Sequence, residues 1–397
     1  MSHTLCVIPG DGVGREVIPC AVEVLSKVIP DLALTEAEAG WDCFNRVGDA
    51  LPDATKTKIA EAGAVLFGAV SSPSKKVAGY RSPIVHMRQL FDLYANLRPT
   101  KRVTASKPSP QPANGLSAIP TAQALPDIQA PLANLQSVLS NLQNLMSSMQ
   151  AGGAAAAQPA PAPIAPSASA QRLLDLLIVR ENTQGLYIGR EYMRGDVETG
   201  EAVAERVITK AASVRIGRVA FEMANARRKQ LTIVHKANIL GLTDGLFRDS
   251  VRSLSAEFPD VKINELLVDT AAMLLASRPH QFDVMVTTNL FGDILSDVAS
   301  VWGGGMGVAP ALNIGTKVAI AEPVHGSAPD IVGKGVANPA GAILSAALLC
   351  QYYWHLPEAA ERIEQAVYST LSQGICTPDL GGSASTNDIL AAVLAAL

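Results

Sequence analysis

The sequence predicts an α/β fold, on three observations. Short apolar runs alternate with helical stretches along most of its 397 residues. The first run, residues 5–8, passes through a glycine-rich turn into a helix. Hydrophobic residues make up 48% of the chain against 17% charged, enough for substantial cores in two domains.

Residues 5–8 read as a buried strand, followed by a helix near 15–29. Residues 64–70 form a second buried strand. Ser82-Pro83 opens the next helix, since Ser suits the N-cap and Pro the first helical position. After the interruption described below, strands are expected at 173–179, 231–234 and 284–288. Helices are expected at 208–225, over most of 241–258 and near 292–300.

The interruption begins at Val103. Up to Ala170 the chain holds one Lys, one Asp and no Arg, with heavy use of Ala, Pro, Ser and Gln. Residues 151–170 read as low-complexity linker. Within the segment Leu132, Leu135, Leu139, Leu142, Met146 and Met149 form an a/d stripe. It suits an oligomerisation or docking helix, or an amphipathic turn-out folded back on its own domain. So few heptads are short for an independent coiled coil, which favours the turn-out.

A net charge of −4 and a pI near 5.9 give no basic field for nucleic acid or an anionic membrane. The longest apolar runs, such as 342–350, are too short to span a bilayer. The N-terminus reads as having no signal or transit peptide. Cys6, Cys20, Cys43, Cys350 and Cys376 are scattered, odd in number and without CxxC spacing, as expected of reduced thiols in the cytoplasm with no zinc site.

Six stretches carry chemistry. Pro9-Gly-Asp-Gly-Val-Gly14 follows a strand, but Arg15 breaks the GxGxxG fingerprint, so a tight turn explains it as well as phosphate binding does. In Thr287-Thr-Asn-Leu-Phe-Gly-Asp293-Ile-Leu-Ser-Asp297 the two carboxylates sit four apart on one helix face. Hard oxygen donors so placed suit Mg²⁺ or Mn²⁺, with Asp269 as a third; taken alone, such a pair is more often a solvated face. Arg180-Glu-Asn-Thr-Gln-Gly-Leu-Tyr187 offers a phenolic acid, or core packing. His235-Lys236-Ala-Asn238 offers a base, or a Lys that snorkels to solvent without an obvious acidic partner. Arg88 and Arg98 suit carboxylate clamping, or surface pairing with Asp92. Glu322-Pro-Val-His-Gly-Ser-Ala-Pro-Asp330, followed by Asn338, is a dense polar loop.

Together with Asn96-Leu-Arg-Pro, these phrases resemble the β-decarboxylating dehydrogenases, the isocitrate, isopropylmalate and homoisocitrate dehydrogenase family. The likeness covers residues 6–102 and 173 to near the C-terminus; the insert is foreign to it. It implies a two-domain isopropylmalate dehydrogenase-like α/β fold, non-Rossmann in its cofactor binding. Residues 1–93 and 304–397 would form the larger cofactor-binding domain, and 94–303 the central substrate and dimerisation domain, with the low-complexity insert at 103–171 inside it. It also implies a homodimer or dimer of dimers with shared active sites.

By the same resemblance Arg88, Arg98 and Arg180 clamp the substrate carboxylates, joined by Ser82 at the variable end. Asp293 and Asp297 are implied as metal ligands for Mg²⁺ or Mn²⁺, with Asp269 from the neighbouring subunit. Lys236, also from the neighbour, would take the hydroxyl proton, and Tyr187 would protonate the enolate left by CO₂. Asn238 and Glu322 would lie at the nicotinamide end. His325, Gly326, Ser327, Ala328, Asp330, Ile331 and Asn338 match the adenosine loop. NADP-using relatives carry Lys and Tyr where this chain has Asp330-Ile331, and a carboxylate repels a 2′-phosphate, so NAD is the expected cofactor. Isocitrate enzymes read Ser-x-Asn where this chain has Ser82-Pro83-Ile84, and isopropylmalate enzymes use a Glu and leucines. Gly79-Tyr-Arg-Ser-Pro-Ile-Val most resembles homoisocitrate dehydrogenases of lysine biosynthesis; isopropylmalate and isocitrate are the alternatives. A non-catalytic regulatory paralogue would lack the Tyr, the Lys or the metal acids, all of which are present.

Overall fold

The computed structural model describes residues 3–73, 75, 77–102 and 174–397. The insert at 103–171, with its Leu/Met stripe and linker, lies outside the described residues. Before it come β1 (His3–Gly10), α1 (Gly14–Val28), β2 (Leu32–Glu36), α2 (Trp41–Val47), α3 (Asp53–Ala62), β3 (Ala64–Ala69), α4 (Pro83–Leu90) and β4 (Ala95–Lys101). After it come β5 (Asp175–Glu181), β6 (Glu191–Arg194), β7 (Glu201–Ala204), α5 (Lys210–Asn225), β8 (Gln230–His235), α6 (Thr243–Arg252) and β9 (Lys262–Leu267). The chain ends with α7 (Val268–Ser277), β10 (Val284–Thr287), α8 (Asn289–Gly303), β11 (Pro310–Ile314), β12 (Ala319–Pro323), α9 (Ala340–Tyr352), α10 (Pro357–Ser372) and α11 (Thr386–Ala396). Among the described residues no helix is long and apolar enough to cross a membrane.

Ten strands form one mixed sheet in the order β2-β1-β3-β12-β11-β4-β5-β10-β8-β9, and β6-β7 is a separate antiparallel pair. Five strands on one side come from the two ends of the chain and five on the other from its middle. They join where β11 runs antiparallel to β4, which runs antiparallel to β5.

Strand alternation divides the sheet into two unlike faces. On one face Leu5, Leu66, Leu97, Val179, Ile233, Val286 and Leu312 belong to a single continuous core packed under α1, α5 and α9. The opposite face carries two separate cores. Ile8, Val65, Phe67 and Ile320 pack with Ile59 of α3 and Met87 of α4, while Ile178, Val234 and Met285 pack with Ala271 of α7 and Leu295 of α8. Between them, over the seam of β12, β11, β4 and β5, buried Glu322, Asn313, Asn96, Arg98 and Arg180 replace apolar side chains. A buried charge needs a partner, so this polar gap marks the place to look for chemistry.

Local signals act largely as expected. The glycine-rich turn is a packing device: Gly10 has φ +71°, and a Cβ on Gly14 would lie 2.2 Å from the Pro9 carbonyl oxygen. Ser82 occupies the N-cap position of α4 with Pro83 behind it, but its side chain makes no capping bond. Thr209 does cap α5, accepting from the Ala212 N–H at 3.3 Å, so that helix begins after the expected Ile208. The expected 241–258 helix resolves into α6 and a short 3₁₀ segment, Ser253–Glu257.

Candidate active site

The polar gap is organised around Asp293. It is the fifth residue of α8, which begins directly behind β10, earlier than the expected Gly292. Its carboxylate accepts from Arg180 Nη1 and, at 2.7 Å, from the Tyr187 hydroxyl. Arg98 Nη1 stands 3.3 Å from Asp293 Oδ1 and 3.6 Å from Asp297 Oδ1, and donates to Ser296 Oγ at 2.7 Å. Both aspartates of α8 therefore converge on one guanidinium. This is a built cluster, not a solvated helix face.

Arg180 is 1% exposed. Asn289 at the start of α8 accepts from its Nε at 3.0 Å and its Nη2 at 2.7 Å. Gly292 is required beside it, because a Cβ there would lie 2.6 Å from Arg180 Cγ. Arg88 reaches the same gap from α4, donating from Nη2 to Glu322 Oε1 at 3.1 Å, and its buried Nε has no partner. Arg88 and Arg98 are both buried, and Asp92 pairs with Arg215 instead, so the alternative of surface pairing with Asp92 is excluded. Asn289, Ser296 and Asn96 accept from these arginines and Asn313 ties Asn96 to Glu322, and no sequence motif assigned them a role. The one available signal was an Asn inside otherwise apolar β11, where Asn is disfavoured.

Electrostatics set the proton states. Burial pushes the Tyr187 phenol upward, and its bond to the Asp293 carboxylate adds to that, so the hydroxyl stays protonated. Burial raises the Asp293 carboxyl, but the charges of Arg180 and Arg98 with the Tyr187 bond more than offset it, and the net shift is downward. Burial shifts the Asp297 carboxyl upward, more than Arg98 lowers it.

Lys236 and Asp269 form a separate pair. Strands β8 and β9 are parallel and in register, His235 opposite Leu267, so their C-terminal ends bring the two residues together. Lys236 Nζ donates to Asp269 Oδ1 at 2.5 Å, supplying the acidic partner that no sequence pattern indicated. Among the described residues no hydrogen bond or ion pair links this pair to Asp293, and no group of three acids, His or Cys within the chain is placed to hold a metal. Buried Asp244 fixes the turn: it pairs with Arg206 and accepts from the Lys236 N–H at 3.3 Å, while Arg206 donates to Thr288 Oγ1 at 3.0 Å ahead of α8. Sequence reasoning missed both residues. Asn238 is exposed just beyond.

The loop from Glu322 to Asn338 lies against the β1–α1 turn. Val13 N donates to the Ser327 carbonyl at 3.0 Å, and a Cβ on Gly12 would lie 2.2 Å from that oxygen. Gly12, Arg15, Ser71, Ser327 and Val332 help line a cleft of about 510 Å³ there. Ala328 has φ +42°, Gly326 and Asp330 are exposed, and Ile331 packs against the main core. His325 Nδ1 lies 3.0 Å from the Gly326 carbonyl, its buried Nε2 has no partner, and burial lowers its pKa. Asn338 donates to Asp379 at 3.1 Å.

The family model for isocitrate/isopropylmalate dehydrogenase matches residues 4–119 and 129–393. The chain is 44% identical over 398 residues to the isocitrate/homoisocitrate dehydrogenase of Thermus thermophilus, covering 100% of this chain and 99% of that one. It is 40% identical over 387 residues to the homoisocitrate dehydrogenase of Methanocaldococcus jannaschii, covering 97% and 95%. The crystal structure of isocitrate dehydrogenase from Methylococcus capsulatus superposes with a TM-score of 0.79 at 34% identity, over 99% of both chains. With a seam of arginines, aspartates and a tyrosine set in that shared fold, the chain belongs to the isocitrate/isopropylmalate dehydrogenase family, the oxidative decarboxylating dehydrogenases of hydroxy acids.

Proposed function

We propose that the protein oxidises homoisocitrate with NAD and releases CO₂ to give 2-oxoadipate, a step of lysine biosynthesis. The observation that carries this reading is the convergence of Arg88, Arg98, Arg180 and Tyr187 on one gap beside Asp293 and Asp297. Arg88, Arg98 and Arg180 are balanced there by Asp293, Asp297 and Glu322. A polyanionic substrate would need additional positive charge, which a divalent cation supplies.

The residues fit Mg²⁺ or Mn²⁺. Asp293 and Asp297 present hard oxygen donors toward one point, and Asp269 stands at the open start of α7 with its side chain 62% exposed. When bound, the cation polarises the C2 oxygen and stabilises developing enolate charge. The chain's own groups do the rest. The arginines fix the carboxylates. Lys236 takes the C2 hydroxyl proton as hydride leaves C2 for the nicotinamide. Loss of the neighbouring carboxylate as CO₂ leaves an enolate, which the neutral Tyr187 phenol protonates at carbon. The NAD site fits the loop from Glu322 to Asn338, which opens into the cleft beside Ser327, and exposed Asp330 on that loop favours ribose hydroxyls over a 2′-phosphate.

The site is complete only in a homodimer with shared active sites. Met273 on α7 is 58% exposed, Ile294 and Val301 on α8 are 51% and 70% exposed, and Leu242 ahead of α6 is 90% exposed. These apolar side chains, on the helices that carry Asp269 and Asp293 and just beyond Lys236, suit burial against a second copy. That docking would bring the partner's Lys236–Asp269 pair to the Asp293–Asp297 pair. Two-domain opening and closing across the β4–β11 seam is part of the same reading, and five free thiols suit the cytoplasm.

Substrate choice rests on α4. Its free N-terminal N–H groups and the uncommitted Ser82 hydroxyl suit the distal carboxylate of the longer acid. Ile84 and Val85 line the extra methylene, with part of Ile84 packed against the core that holds Met87. In side-by-side kinetics homoisocitrate should exceed isocitrate by about tenfold in kcat/KM, one methylene being worth roughly 1–3 kcal/mol, with isopropylmalate poorer still. A preference for isocitrate or isopropylmalate would overturn the reading of this helix.

A further inference from the structure

Asn313 occupies a position that the roles given above leave unexplained. It is fully buried in β11, directly opposite Asn96 in the sheet register, and Asn96 is directly opposite Arg180. Its neighbour Leu312 faces the continuous core, so alternation turns Asn313 toward the polar gap. All four of its hydrogen-bonding sites are used. Oδ1 accepts from Asn96 Nδ2 at 2.6 Å and Asn182 Nδ2 at 2.9 Å, while Nδ2 donates to the Ile320 carbonyl at 3.1 Å and to Glu322 Oε1 at 2.8 Å. A side-chain amide offers two donors and two acceptor sites, so none is spare and its orientation is fixed.

The bonds converge on Glu322 from both ends. Arg98 Nε donates to Asn96 Oδ1 at 2.9 Å, Asn96 donates to Asn313, Asn313 donates to Glu322, and Arg88 Nη2 donates to the same Glu322 oxygen at 3.1 Å. Asn313 is thus the junction of a buried chain whose two ends are guanidiniums. One end carries the buried and unpartnered Arg88 Nε, the other the Arg98 nitrogen facing both aspartates of α8. Apolar side chains at these positions would remove the link between the two arginines. The bonds along the chain hold them at one spacing across β4, β11 and β12.

We propose that Asn313 is a positioning residue that sets the distance between Arg88 and Arg98, and so tunes the grip on the substrate carboxylates without touching the substrate. The inference rests on the proposed clamp role of those two arginines. Asn313→Asp keeps the shape but replaces the donor toward Glu322 with a second carboxylate oxygen, whereas Asn313→Ser removes both links without adding charge.

The experiment measures KM for homoisocitrate at saturating NAD and Mg²⁺, with melting temperature alongside, in the full chain. Both variants should raise KM by roughly tenfold or more, with a smaller change in kcat, because misplaced binding groups are costly. If Asn313→Asp fails to fold, Asn313→Ser carries the test. Lowered melting temperatures with an unchanged KM would mean that the amide only stabilises the sheet, and would overturn the proposal. Arg88→Lys and Arg98→Lys are the controls. If they raise KM and the Asn313 variants do not, the positioning role alone fails; if they leave KM unchanged, the clamp reading fails and this inference with it.

Discussion

Tyr187→Phe and Lys236→Ala chains should each be almost inactive, yet should regain activity when refolded or expressed together. Tyr187 is bonded to Asp293, while Lys236 is bonded to Asp269 and reaches none of the Asp293 cluster. If one protomer supplies Tyr187 and its partner supplies Lys236, a hybrid dimer collects both substitutions in one site and keeps the other intact. Removing a positioned acid or base costs about 10²–10⁴-fold in rate, so each homodimer should lose that much. Half the dimers in a statistical mixture are hybrids with one intact site, so the mixture should recover about a quarter of wild-type activity. Recovery is read as specific activity against mixing ratio. A mixture no better than the mean of its parents would sink the shared-site assignment.

Asp293→Asn should lower kcat by roughly three orders of magnitude, since a bound cation supplies several kcal/mol at the enolate. The substitution removes one hard ligand and the acceptor of the Tyr187 hydroxyl at once. It also strips the counter-charge from Arg180, which is buried, and from Arg98. Breaking a fully buried pair costs about 3–5 kcal/mol, but Asp293 is itself 35% exposed, so a loss nearer 2 kcal/mol is expected in denaturant unfolding. Wild-type turnover in the variant would remove Asp293 from the chemistry.

Much of this site was legible in the sequence. Arg88, Arg98, Arg180, Tyr187, Asp293 and Glu322 were named from motifs, and the structure joins them in one gap. The strands that carry the motifs were legible where a run of buried apolar residues dominates them, as in β1, β3, β8 and β10. Strands β4 and β11 were harder because their inward positions hold Asn96, Arg98 and Asn313, polar residues that break the strand pattern where the site is built. Edge strands β2 and β9 pair on one side only and hold no fully buried residue. The Lys236–Asp269 pair was illegible for another reason: parallel pairing of β8 with β9 joins positions far apart in the chain. Asp244 and Arg206 form a buried pair that no local spacing announces.

In the proposed function one site couples hydride transfer to loss of CO₂ and needs a divalent cation held by aspartates. Its most direct test follows NADH and CO₂ together, with the full chain, homoisocitrate, NAD and Mg²⁺. Equimolar NADH and CO₂ are predicted, with both lost in excess chelator and both restored by Mg²⁺ or Mn²⁺. NADH formed without CO₂, or an undiminished rate in excess chelator, would contradict it.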